Sequence, residues 1–266
     1  MRSCRGGNVG VTQPAELAVV LAGGEGTRLR SVVGDTPKSL APVSGKPFLY
    51  WLFSVLRCYG VKRVLLLLGR GAEKITTYCE NTDWPGLDFF YSTENSPLDK
   101  AGALRLALPL IKEEHFLFMN GDTLLEADLG GMARFHTQNR ADVTFAVRKW
   151  PDISRSDTVG FDSGKRVFSF GDKRMDPDSE GMWPVNGGVY MVRRKALSGF
   201  LPEGRLSWES DVAPAMLRGN SRLFAYETDG YFIDIGVPDD YGRAQDEIPA
   251  YCQRIGAVHY ETGGRK

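Results

Sequence analysis

Leu17-Ala18-Val19-Val20-Leu21-Ala22-Gly23-Gly24-Glu25-Gly26-Thr27-Arg28-Leu29 decides how the rest of the chain is read. Six apolar residues run without a break and stop at a pair of glycines. A short continuous apolar run bounded by glycine reads as a strand buried on both faces, the pattern of a parallel sheet. Working outward, the same grammar repeats. Val61–Leu68, Leu87–Ser92, His115–Met119 and Ala141–Val147 read as strands, and Phe48–Cys58, Ala101–Lys112 and Leu129–Asn139 read as helices. Repeated strand-then-helix order predicts an α/β fold: a doubly wound, mostly parallel, Rossmann-like sheet with helices on both faces.

The second half is more mixed. Thr158–Phe161 and Arg166–Phe170 read as a short hairpin, Gly188–Val192 as a strand followed by a helix from Arg193, and Trp208–Leu217 as a helix. Arg222–Glu227 and Tyr231–Asp234 read as strands and Asp239–Glu247 as a last helix. These pieces predict a small β-rich lobe inserted into one domain spanning residues 15–249. Residues 1–14 read as a flexible N-terminal extension and 250–266 as a mobile tail.

Composition narrows the function classes. The chain has 266 residues, 42% hydrophobic and 25% charged, enough to bury a core without disulfides or structural metal. Lys+Arg and Asp+Glu both number 33, so there is no basic excess of the kind a nucleic-acid binder shows. An anionic ligand must be held by local charge. The unbroken apolar runs, Val64–Leu68 among them, are far too short to cross a bilayer, so no membrane partner is expected. The four cysteines are scattered with no CxxC pair, which argues against zinc and fits reduced thiols in the cytoplasm. Nothing in the sequence fixes whether identical chains assemble into a homo-oligomer.

Three glycines in four positions, Gly23, Gly24 and Gly26, strip Cβ atoms from a turn just after a strand. Successive N–H groups can then line an anion cavity, with Arg28 as a bidentate partner for phosphate oxygens. A solvated strand-to-helix turn is the plainer alternative. The spacing is neither GxxxxGK[ST] nor a clean GxGxxG, which excludes a P-loop and disfavours a dinucleotide site. Lys38 sits between Pro37 and Pro42 in a stiffened segment, where a fixed point charge is useful to a phosphate. Asp122 follows an apolar strand in Asn120-Gly121-Asp122, and Asp234 lies in Phe232-Ile233-Asp234-Ile235-Gly236. Acids at such strand ends face the ligand crevice. Mg2+ takes one or two carboxylates plus substrate phosphates, so the pair is the candidate metal site. Either acid could instead cap a turn.

Taken together, GGEGTRL and TPKSLAPVSGKP resemble the opening of the sugar-1-phosphate nucleotidyltransferase family. Further segments in the same order extend the resemblance from about Leu17 to Asp246. The resemblance implies a triphosphate held by Leu21, Ala22, Gly23, Gly24, Gly26, Thr27, Arg28 and Lys38, with Glu94 and Gly102 also on the nucleotide side. Arg28, Lys38 and Asp122 would carry catalysis, and Asp122 and Asp234 would hold Mg2+. On the sugar-phosphate side it implies Gly121, Lys173 (from SFGDK), Asn186 and Gly187 (from NGGVY) and Glu209 (from SWESDV). Where the family pattern reads PLGTAGAL, this chain reads Pro97-Leu98-Asp99-Lys100-Ala101-Gly102-Ala103-Leu104. That departure adds bulk and charge near the nucleotide, with Asp99 expected to cap the helix.

The Tyr231–Tyr241 segment YFIDIGVPDDY resembles in particular the heptose 1-phosphate guanylyltransferases. The implied reaction joins an NTP, with GTP favoured, to a sugar 1-phosphate, with heptose favoured, and releases pyrophosphate. A mannose- or glucose-1-phosphate enzyme using another NTP is the neighbouring alternative. A nucleotide-sugar-dependent glycosyltransferase is the more distant one, but it would show a DxD pair where this chain has a single acid.

Overall fold

A computed structural model describes residues 15–24, 29–154 and 156–258. The expected extension over residues 1–14 lies outside the described residues. In chain order the elements begin with β1 (Leu17–Leu21), α1 (Arg30–Val33), the tight pair β2 (Pro42–Val43) and β3 (Lys46–Pro47), α2 (Phe48–Cys58) and β4 (Arg63–Leu68). Then come α3 (Ala72–Glu80), β5 (Asp88–Thr93), α4 (Asp99–Ala107), β6 (His115–Asn120), β7 (Thr123–Leu125), α5 (Leu129–Gln138) and β8 (Val143–Trp150). The rest comprises β9 (Val159–Phe161), β10 (Val167–Phe170), β11 (Trp183–Arg193), α6 (Ala213–Arg218), β12 (Leu223–Glu227), β13 (Phe232–Asp234) and α7 (Pro238–Arg254).

Seven strands form the central sheet in the order β12-β8-β11-β6-β1-β4-β5. All neighbouring pairs are parallel except those made by β11, which runs antiparallel to both β6 and β8. The expected mostly parallel, doubly wound sheet is therefore what forms. Its apolar runs feed two separate cores, one on each face. Ala18, Val20, Val64, Leu66, Leu117 and Met119 pack under α2 and α7. The intervening Leu17, Val19, Leu65, Leu67, Phe116 and Phe118 pack under α4 and Trp208. Strand alternation sends successive side chains to opposite faces, so a run with no polar break can bury both.

Three expectations change. The helix read from Arg193 is a single tight turn, Arg194–Leu197, because β11 keeps its ladder through Arg193. The helix Trp208–Leu217 opens with a wide turn at Trp208–Val212 before α6. The domain does not end at residue 249. Helix α7 continues to Arg254 with Pro249 inside it, and it buries Tyr251 and Cys252. Tyr251 stacks on Tyr231 at 5.0 Å, and both Arg254 guanidinium nitrogens reach Glu126, at 2.9 and 2.6 Å. The expected tail over 250–258 is thus part of the core, and 259–266 lie outside the described residues. Helix α3 and strand β7 were not anticipated.

Buried on α5, His136 bonds Thr144 Oγ1 at 2.8 Å and His115 at 3.1 Å. Burial, then the neighbouring His115 and Arg193, pushes its pKa down from 6.5 to about 3. A histidine kept neutral in the fold but protonated when unfolded stabilises the fold above pH 6.5 and loses that contribution as pH falls towards 3. The expected cost at pH 5 is about 2 kcal/mol relative to pH 7.5. Melting curves of wild type and His136→Gln across this range test it: the variant's melting temperature should fall less steeply on acidification, and parallel slopes would refute the assignment.

Candidate functional site

The site grows from strand exits packed too closely to allow side chains. At the end of β1, a Cβ on Gly23 would lie 2.6 Å from the Gly69 nitrogen. After β6, a Cβ on Gly121 would lie 2.5 Å from the Leu21 carbonyl oxygen, which already accepts the Gly121 N–H at 2.8 Å. Both glycines are thus demanded by backbone packing of β1 against β4 and β6, an account the ligand reading alone did not supply. Leu21 and Ala22 continue the strand, the latter bonded to Leu67 at 2.9 Å. Gly24 is exposed, with nothing within 4 Å of its Cβ position, so it leaves the cleft side of the turn open. Gly26, Thr27 and Arg28 lie outside the described residues.

The turn after β6 presents Asp122, and the short antiparallel pairing of β7 with β13 places Asp234 opposite Thr123. Between the two acids stands one ammonium. Lys38 Nζ donates to Asp122 Oδ2 at 2.6 Å and to Asp234 Oδ1 at 3.2 Å. Lys38 is 14% exposed at its side chain, so most of its stem is enclosed and its head is held in the cleft. Pro37 precedes it and the tight turn Lys38–Leu40 carries it. Gly236 closes the arrangement. Its N–H donates to Asp234 Oδ1 at 2.8 Å, and a Cβ there would stand 2.9 Å from both that oxygen and Lys38 Nζ. Burial works to raise the pKa of Asp122. The Lys38 ammonium and, further off, Lys100 outweigh it and hold the carboxyl below its ordinary value. The acid is therefore ionised at neutral pH.

Two carboxylates converging on one cation fit a divalent ion that takes two protein oxygens and completes its shell with phosphates. Among the described residues no group of three or more His, Cys, Asp or Glu forms a self-sufficient metal cage. Beside the pair, Asn120 Oδ1 is buried without a hydrogen-bond partner.

Of the residues expected to face the sugar phosphate, Asn186 and Glu209 cluster around Tyr190. Asn186 on β11 donates its amide to the Tyr190 hydroxyl at 2.8 Å and accepts the Gly188 N–H at 3.1 Å. Tyr190 Oη lies 3.5 Å from Glu209 Oε1. A Cβ on Gly187 would lie 2.7 Å from a Leu125 methyl, so this glycine seats β11 against β7. Asp211 accepts the Ser207 N–H at 2.8 Å and supports its helix, as expected. Lys173 does not join the cluster. Its ammonium donates to the Ile153 carbonyl at 2.6 Å and to that of Ser156, so it braces a loop. Glu94, expected on the nucleotide side, accepts the Leu98 N–H at 3.1 Å, and burial pushes its pKa up. Gly102 is buried, and its Cβ position is 2.9 Å from the Gly204 carbonyl oxygen, so packing explains it.

Asp99 does not cap α4. It adopts φ 63°, the left-handed region, and bonds the adjacent Lys100 N–H at 2.9 Å. The residue that sequence reasoning missed is Lys100, which was treated only as a departure. Its ammonium ion-pairs with Glu209 and lies 5.6 Å from the Tyr190 ring centre. The doublet's mismatch with the pattern was the available signal.

Residues 17–250 match the family described as nucleotidyl transferase. The chain belongs to that family. Its reaction class is that of a sugar-1-phosphate nucleotidyltransferase, which makes an NDP-sugar from an NTP and a sugar 1-phosphate. It is 37% identical over 234 residues to the D-glycero-alpha-D-manno-heptose 1-phosphate guanylyltransferase of Aneurinibacillus thermoaerophilus, covering 88% of this chain and 99% of that protein. It is 34% identical to the mannose-1-phosphate guanylyltransferase of Mycobacterium tuberculosis, covering 87% of this chain but 64% of that protein. HddC of Yersinia pseudotuberculosis superposes with a TM-score of 0.75 at 32% identity, covering 87% of this chain and 98% of that one; it has also been solved with GMP-PN.

The crowding around Gly236 gives a direct test. In Gly236→Ala the new methyl meets Lys38 and Asp234 side-chain atoms, which can yield without unfolding the chain. Stability should stay within about 1 kcal/mol, while turnover falls at least ~10-fold, about 1.4 kcal/mol in barrier. Unchanged kcat in a pyrophosphate-release assay would dissociate this ion cluster from catalysis.

Proposed function

We propose that this chain is a cytoplasmic guanylyltransferase that joins GTP to a heptose 1-phosphate, releases pyrophosphate and uses Mg2+ held by Asp122 and Asp234. The observation that carries the reading is the single ammonium of Lys38 shared by two carboxylates at the carboxyl edge of the sheet. The choice of heptose over mannose is supported by matched length: the heptose-phosphate relative from Aneurinibacillus is covered almost end to end, the mycobacterial mannose-phosphate relative over 64%. The choice of guanine follows the same relatives and the GMP-PN complex of the Yersinia neighbour.

The chemistry is displacement at the α-phosphorus. An oxygen of the sugar phosphate forms a new bond to that phosphorus as the bond to the β-phosphate oxygen breaks, and pyrophosphate carries away the electron pair. No protein nucleophile is required, so the chain acts by positioning and by offsetting charge. Lys38, enclosed and set on a stiff turn, offers a fixed positive charge to the phosphoryl oxygens as negative charge builds there. Arg28 is assigned to the triphosphate on the nucleotide side. The bare backbone at Gly24 leaves room for phosphate oxygens. Asp122 and Asp234 keep two oxygens facing the same point, and a bound Mg2+ there would neutralise the two incoming phosphate groups. On the far flank, Asn186 and Glu209 supply hydrogen-bonding groups to sugar hydroxyls.

Pyrophosphate release measured across the NTPs with hexose and heptose 1-phosphates should favour GTP with D-glycero-α-D-manno-heptose 1-phosphate. Turnover should vanish on chelation of divalent ions and return with Mg2+. Asp122→Asn and Lys38→Ala should each lower kcat by roughly 10²–10³. A wild-type chain that releases no pyrophosphate with any pair, or an Asp122→Asn variant at full rate, would overturn the assignment.

A further inference from the structure

Lys100 stands at the first turn of α4, on the helix the sequence places beside the nucleotide. Its side chain turns instead towards the sugar flank. Only 11% of that side chain is exposed, and Glu209, its ion-pair partner, is 22% exposed. The pair rests on a completely buried Tyr190 ring. The same Glu209 oxygen that meets Lys100 also faces the Tyr190 hydroxyl, which in turn accepts the Asn186 amide. Lys100, Glu209, Tyr190 and Asn186 therefore form one continuous polar chain. Among the described residues no hydrogen bond reaches the other oxygen of Glu209, Oε2.

The backbone fixes this contact. The N–H groups of Ala101 and Gly102 both donate to the Leu206 carbonyl, at 2.9 and 3.1 Å, and the Leu206 N–H returns to Leu98 at 2.8 Å. Gly102 has no Cβ to hold the two segments apart. The start of α4 and the segment leading to Glu209 move as one piece, so the ammonium is held on its partner.

The local charge gives the contact a purpose. Asp122, Asp157 and Glu209 all lie within electrostatic reach of Lys100. Burial opposes the charge of Lys100, but Tyr190 and Glu209 hold its pKa above the ordinary lysine value. Without Lys100 the flank would present net negative charge to a phosphorylated sugar. Like charges close together in a partly enclosed cleft repel more than they do in open water.

We propose that Lys100 is a positioning residue for sugar recognition: it ties down one oxygen of Glu209, offsets its charge, and leaves the second oxygen to accept a hydroxyl of the incoming sugar phosphate. The inference rests on the reading of this cleft as a sugar-1-phosphate nucleotidyltransferase site. It departs from that reading in making a residue of the nucleotide-side helix govern the sugar, and it fills the place that Lys173, braced on backbone carbonyls, leaves open.

The test compares Lys100→Thr, Lys100→Met, Lys100→Arg, Glu209→Gln and the double variant Lys100→Met with Glu209→Gln. Each is assayed for turnover, and each is titrated calorimetrically with mannose 1-phosphate and with D-glycero-α-D-manno-heptose 1-phosphate in the absence of GTP. Lys100→Thr and Lys100→Met should each raise the KM and Kd for the sugar phosphate at least tenfold, with kcat and the KM for GTP within twofold. Lys100→Met keeps the apolar stem and covers the case in which Thr loses the fold. Lys100→Arg should recover most of the loss, and the double variant should be no worse than Glu209→Gln alone. Losses that add in the double variant, equal effects on both substrates, or unchanged sugar-phosphate binding overturn the proposal. A wild type that binds either sugar phosphate but releases no pyrophosphate refutes the reaction assigned to the cleft, while the binding series still decides Lys100. A wild type that binds neither overturns both.

Discussion

Two carboxylates facing one another are an unfavourable arrangement, and this fold is built to keep them so. Asp122 leaves the sheet at the end of β6, and Asp234 is brought opposite by a three-residue pairing of β7 with β13. The ammonium of Lys38 offsets their repulsion by bonding both at once. Removing Lys38 leaves the two acids facing each other with no cation between them, whereas removing either acid leaves an ordinary Asp–Lys pair. The preformed convergence is what a reaction between polyanions requires. Donors and acceptors already in place do not have to be reorganised as charge develops. The scaffold holds the acids as a receptor for positive charge, and Lys38 stays within reach of whatever phosphate arrives.

That receptor sits where it does because three strand exits converge. The glycines at positions 23 and 121 are read most easily from sequence as phosphate-facing residues. Their hydrogens in fact point at neighbouring backbone, with Cβ positions 2.6 Å and 2.5 Å from main-chain atoms. The two explanations are linked. Only when β1, β4 and β6 approach this closely do their exits share one crevice. The same economy recurs on the far side, where Gly187 lets β11 lie against β7 and so sets Asn186 and Tyr190 beside the cleft.

Local pattern carried most of the architecture. Continuous apolar runs at residues 17–22, 64–68 and 116–119 read as strands covered on both faces, and the two cores bear that out by taking alternate residues. Elements with weak periodicity escaped notice. Helix α3 has only Ile75 and Cys79 buried, and β7 is three residues long, its identity decided by a partner over a hundred positions away. The end of the chain was misjudged for a similar reason. Tyr251 and Cys252 look unremarkable in a polar segment, and their burial depends on Tyr231 and on the clamp between Arg254 and Glu126. At the site, Lys38, Asp122 and Asp234 were legible because each ends or interrupts an apolar strand or a stiff turn. The position of Lys173 was not, since nothing local says that its ammonium will satisfy two carbonyls rather than a ligand.

The Asp99–Lys100 doublet departs from the family pattern in chemistry, and the backbone accommodates it. Where the resembled family has glycine, Asp99 adopts a left-handed backbone, at φ 63°. Aspartate is among the few residues that tolerate that region, because its short side chain can bond locally, as it does here to the next N–H. The turn that starts α4 therefore forms with aspartate in the left-handed position. A threonine at that point could offer only a short hydroxyl. Lysine, with four methylenes, spans the gap to Glu209 and lays its stem against Tyr190. The departure that first looked like a threat to the nucleotide side is absorbed by the backbone there, and the lysine's charge is carried across to Glu209.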